Sequence, residues 1–111
     1  LLEAGHNLYA PRFALTELRN HKQEICTRAK ITTIQFEEIL TDMQKVITII
    51  PFSDYEHFVK EAILLTPNNQ KDLDFVALAL KLEAAILSDD GGLKDQSKIR
   101  VYNKEEFSEL F

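Results

Sequence analysis

The chain has 111 residues, enough for one domain with a core but not for two. A formal charge of −5 argues against a protein that coats nucleic acid through bulk basicity, while leaving room for an enzyme whose acids hold a cation. A single cysteine, Cys26, and three scattered histidines exclude a disulfide framework and a zinc finger, and a lone thiol fits a reducing cytoplasm. No apolar run approaches the roughly 18 residues that cross a membrane, and the apolar centre of a signal peptide is missing.

Taken in order, Leu1 to Gly5 reads as the last turn of a helix with Gly5 as its C-cap, which predicts a chain whose N-terminal part is missing. Asn7 to Ala10 is a short strand. Pro11 suits the first turn of the helix that follows, because its absent N–H has no intrahelical partner there. That helix is expected to run to about Ala29, with Phe13, Leu18, Ile25, Cys26 and Ala29 inward and its charges outward. Thr32 with Gln35 forms a capping box and Ile31 can staple to Phe36, so a second helix starts there. Phe36, Ile39, Leu40 and Met43 are its predicted inner stripe. Val46 to Ile50 is a β-branched run ended by Pro51, a strand. Ser53 and Glu56 open a further helix, buried through Tyr55, Phe58, Val59 and Ala62.

The turn 66–70 leads into the stretch around which the rest is arranged. From Lys71 the chain runs through acids into a helix too apolar to face water. Phe75, Leu78, Ala79 and Leu82 share one face, and Val76 with Leu80 line a second. Small Ala77 and Ala79 allow close approach to a sheet. Ala84 to Leu87 is a short buried strand, followed by Ser88, Asp89 and Asp90 and a Gly91-Gly92 break. Ile99 to Tyr102 is a last strand. Asn103 with Glu106 caps a closing helix, and Tyr102 can staple to Phe107. Alternating helices and strands imply one α/β domain over 1–111, its sheet mostly parallel and covered by helices.

Ligands of such sheets bind outside the carboxyl ends of the strands. Three acids fall where helices and strands meet: Glu17 after the first strand, Asp72 at the start of the apolar helix, and Asp90 after the buried strand. Gathered at one sheet end, they would repel unless a hard cation lay between them. All-oxygen ligands suit Mg²⁺ or Mn²⁺. Such a site activates water and clamps phosphate oxygens. An acid at a helix N-terminus also serves as dipole partner or cap, so the spacing leaves both readings open. Asp74 and Asp89 are weaker ligand candidates. His6, His21 and His57 read as surface residues, Cys26 as core, and Lys22, Arg28 and Lys30 as a solvated face that could touch a phosphate backbone.

The motifs resemble those of the PIN-domain nucleases, in particular the compact prokaryotic ones that include VapC-type toxins. Asp72 precedes Ala77-Leu78-Ala79 at the family's spacing, Ser88-Asp89-Asp90 matches its strand-end motif, and Pro11 to Leu18 matches the segment that carries its Glu. Residues 101–107 resemble its closing element. The resemblance implies that Glu17, Asp72 and Asp90 hold one or two Mg²⁺ or Mn²⁺ ions for RNA hydrolysis, with Ser88 bonding a carboxylate or water. It further implies a homodimer, a small antitoxin partner and a toxin role in a toxin–antitoxin pair. Two departures accompany it. The family's first acid, an Asp ending its first strand, has no counterpart, so that strand is expected to be missing, with exposed strand edges. Gly92 stands where a further Asp often occurs. Both predict weakened metal binding, and they set beside the nuclease a non-catalytic PIN-like domain for RNA or protein interaction. An unrelated α/β domain, of response-regulator type, would scatter the three acids over different surfaces.

Overall fold

The structure is a computed structural model and describes residues 1–4, 7–68, 70–87, 96, 98–103 and 105–106. The strands are β1 (Leu2–Ala4), β2 (Asn7–Pro11), β3 (Ile47–Ile50), β4 (Ala85–Leu87) and β5 (Val101–Tyr102). They form one sheet in the order β3-β2-β1-β4-β5. The ladders β2–β3 and β4–β5 are parallel, whereas β1 is antiparallel to both β2 and β4. Four of the five strands therefore run in one direction, and only the central one is reversed.

That central strand corrects the reading of residues 1–5. Leu2–Ala4 is extended, with Leu2 opposite Tyr9 on one side and Ile86 on the other. Leu2 is fully buried. A three-residue segment, Leu2-Glu3-Ala4, is too short to declare its period, and here two neighbouring strand edges supply the hydrogen bonds that a helix would have made internally. The exposed edges expected beside the centre of the sheet are covered by β1. Gly5 lies outside the described residues.

The segment after β2 also departs from expectation. Instead of one helix there are two, α1 (Arg12–Asn20) and α2 (Lys22–Ala29), hinged at His21, whose φ of −103° and ψ of 17° leave the helical region. Pro11 is the N-cap of α1, one place ahead of its predicted position. Lys30 ends α2 in the left-handed region at φ 56°. The predicted capping box is present on α3 (Thr33–Val46): Gln35 N–H donates to Thr32 Oγ1 at 3.0 Å, and Thr32 N–H donates to Gln35 Oε1 at 2.8 Å. Only Phe36 and Leu40 of its predicted stripe are buried, while Ile39 and Met43 are exposed.

After β3, Pro51 caps α4 (Phe52–Tyr55) without a side-chain bond, so Ser53 and Glu56 form no box. A 3₁₀ turn, Glu56–Phe58, leads into α5 (Val59–Leu65). A second 3₁₀ turn, Gln70–Asp72, opens α6 (Leu73–Leu82). Val76, Ala77, Leu78 and Ala79 of α6 are all buried, so the helix is covered on more than one side, as its unbroken apolar run requires. It ends at Glu83, held at φ 53°, and feeds β4. Asn103 and Glu106 exchange the expected capping bonds, at 2.8 and 3.1 Å. Phe107 lies outside the described residues.

Two apolar clusters result. The larger joins the sheet to α4, α5 and α6 through Leu2, Tyr55, Ala62, Val76, Leu78 and Ile86. The smaller holds α1, α2 and α3 together around Cys26, Phe36 and Leu40. Among the described residues no helix is long and apolar enough to cross a membrane.

Candidate active site

A cleft of about 450 Å³ opens between the two clusters. Its floor is Ala10 of β2 with Ile47 and Ile49 of β3, and Leu40, Met43 and Gln44 of α3 form one wall. Along α1, Phe13 and Glu17 follow one another at i and i+4, with Ala14 and Leu18 beside them, so one helical stripe faces the cleft, and His21 continues the line just past the helix end. The start of α6 closes the other side with Lys71, Asp72 and Phe75.

This placement follows from the topology. α1 leaves the carboxyl end of β2, and α6 returns antiparallel to β4, so the N-terminus of α6 lies at the same end of the sheet as the start of α1. Glu17 and Asp72, far apart in sequence, thus line one cavity. The Asp72 atom Oδ2 is withdrawn from solvent, while the Glu17 carboxylate is partly exposed. Asp72 occupies the N-cap position of α6 without closing a side-chain cap on the helix.

Asp90, Ser88, Asp89 and Gly92 lie outside the described residues. The end of β4 that precedes them is fixed by the Leu87 N–H, which donates to the Leu1 carbonyl at 2.8 Å, and Leu1 itself lines the cleft. Among the described residues no group of three or more His, Cys, Asp or Glu comes together to hold a metal. The two carboxylates that line the cavity, Glu17 and Asp72, offer oxygen donors of the kind that hard divalent cations prefer. Asp74 points away from the cavity and accepts a hydrogen bond from the buried Tyr55 hydroxyl at 2.5 Å.

Two further polar residues line the cleft: His21, exposed as its reading as a surface residue expected, and Lys71, which sequence did not single out. His21 stands between two carboxylates, with Nε2 3.5 Å from Glu17 Oε2 and Nδ1 3.4 Å from Glu24 Oε2. Its spacing of four from Glu17 was the available signal. Lys71 lines the rim beside Asp72. Of the basic residues considered earlier, Lys22 is paired with Glu37 and Arg28 with Glu24, as a solvated helical face would have it.

Fold and cleft together define an α/β domain in which Glu17 and Asp72 line one cleft beside a mixed five-stranded sheet, whose two antiparallel ladders correct the expectation of a mostly parallel one. The sequence model of the PIN domain matches residues 2–108, nearly the whole chain, and the chain belongs to the PIN-domain family. PIN domains are generally nucleases and typically use divalent metal ions. No curated protein and no solved structure matches the chain.

Proposed function

We propose that this PIN domain is a metal-dependent endoribonuclease that hydrolyses RNA phosphodiester bonds, with Glu17, Asp72 and Asp90 as its metal ligands. The observation that carries the reading is the meeting of Glu17 and Asp72 in one cleft at the carboxyl end of the parallel strands. A bound Mg²⁺ or Mn²⁺ supplies a water of lowered pKa and stabilises the charge that builds up on phosphorus. Glu17 and Asp72 bind the cation and set its position relative to the substrate. Phe13, Leu18, Ile49 and Phe75 give the cleft apolar walls around the solvent-withdrawn Asp72 Oδ2, which strengthens the hold of that carboxylate on a cation. Lys71, on the rim, is placed to meet a substrate phosphate. The reading extends to a toxin acting in the cytoplasm, paired with a small antitoxin and assembled as a homodimer.

The test is a Mn²⁺ titration of the full chain with single-stranded RNA. Removing a ligand to the metal or a stabiliser of developing charge costs on the order of 10²-fold or more in rate. Asp72→Asn and Glu17→Gln are therefore each expected to reduce cleavage at least about 100-fold. If Asp72→Asn cleaves as fast as the parent, the nuclease reading fails. Full-strength RNA binding with no cleavage at any Mn²⁺ concentration would favour the non-catalytic domain instead.

A further inference from the structure

Tyr55 is an odd residue to find at the centre of an apolar core. It is 0 % exposed, it belongs to the larger apolar cluster, and a phenylalanine would fill the same space without a polar atom to satisfy. Its hydroxyl donates to Asp74 Oδ2 at 2.5 Å, a bond from α4 to the first turn of α6. Burial, and after it the Asp74 carboxylate, push the Tyr55 phenol above its usual range, so it remains a donor.

Asp74 follows Asp72 by two residues. The two side chains leave the start of α6 in different directions. One meets Tyr55 and the other lines the cleft. Asp72 ends the 3₁₀ turn before α6, at φ −99° and ψ 6°, outside helical geometry, and the Tyr55–Asp74 bond is made two residues further on, in the first turn of the helix. The Tyr55 bond is therefore a fixed point close to the start of α6. At its other end Tyr55 is held by α4, which follows β3 through the rigid Pro51 and packs the Phe52 ring edge-on against Tyr55, with centroids 5.3 Å apart. Ile49 of β3 lines the same cleft as Asp72.

We propose that Tyr55 is a positioning residue: through Asp74 it braces the first turn of α6 against β3 and so sets where the Asp72 carboxylate stands in the cleft. This rests on the metal-site reading of Asp72. Loss of the hydroxyl leaves the core filled but frees the turn, so a metal ligand becomes mobile without being removed.

The experiment measures Mn²⁺ binding to the substrate-free chain by water-proton relaxation, and amide exchange at residues 73–76. It compares the parent with Tyr55→Phe, Asp74→Asn, Asp74→Ala and Asp72→Asn. Groups that orient metal ligands typically change affinity by about 10- to 100-fold. Tyr55→Phe and Asp74→Ala are each expected to raise the half-saturating Mn²⁺ concentration about tenfold and to speed exchange at 73–76. Asp74→Asn keeps an oxygen acceptor and is expected to stay within about threefold of the parent. A Tyr55→Phe half-saturation within about twofold of the parent, with Asp72→Asn strongly weakened, overturns the brace and leaves the metal site standing. Identical, negligible Mn²⁺ binding by parent and Asp72→Asn overturns the metal-site reading, and the brace falls with it.

Discussion

The Tyr55 hydroxyl spans two elements that are distant in sequence, and its energetics have a pH signature. Its folded-state pKa is raised, by burial first and by Asp74 second. The unfolded chain thus loses this proton first as pH rises through about 10, and the stabilisation, complete below that value, declines above it. A hydrogen bond to a charged acceptor contributes about 1.5–3 kcal/mol. Tyr55→Phe is expected to lower stability by about that much near pH 8, and the gap between parent and variant to shrink as pH rises beyond about 10. Urea melts of both chains across that range check it.

At the scale of elements, the helical layer is held by caps and surface charge as much as by apolar burial. Glu37 of α3 accepts from Lys22 of α2 and Arg19 of α1, both at 3.0 Å, and those two cations hold its carboxyl below the usual range, Lys22 first. The α3 capping box satisfies two backbone N–H groups that would otherwise lack partners. Thr32→Ala removes one half of it. A loss of about 1 kcal/mol is expected, read as a lower urea midpoint at unchanged slope. By contrast α6 has no side-chain cap, and its stability comes from burial of Val76, Ala77, Leu78 and Ala79. A helix held this way resists opening along its length, while its first turn depends on the Tyr55 bond.

At the scale of the whole molecule, the described residues form two apolar clusters of unequal size with a cleft between them, and this division governs which parts open first. The cluster around Cys26, Phe36 and Leu40 has few buried members, whereas the cluster beneath α6 reaches the sheet and three helices. Regions with few buried apolar contacts open locally at lower free energy. Amides of α2 and α3 are expected to exchange well before those of α6 in native-state hydrogen exchange. Equal protection of the two layers would show that they unfold as one unit.

Much of this architecture was legible in the chain itself. The apolar run of α6, the β-branched run of β3 and the Thr32–Gln35 and Asn103–Glu106 caps are local patterns, and local patterns decide whether a segment is helix or strand and where it begins. Glu17 stood out because it lies beside apolar Phe13 and Ala14 on one helical stripe, and Asp72 because it opens the apolar helix. Tertiary structure decided what no window of neighbouring residues contains. Leu2–Ala4 became the reversed central strand because two strand edges needed a partner. Ile39 and Met43 stayed exposed, although their spacing matched that of buried Phe36 and Leu40. Tyr55 found Asp74, and Glu17 found Asp72, only through the order and direction of the strands. Periodicity specifies which face of an element is apolar, but the meeting of two faces depends on free energies summed over the whole fold.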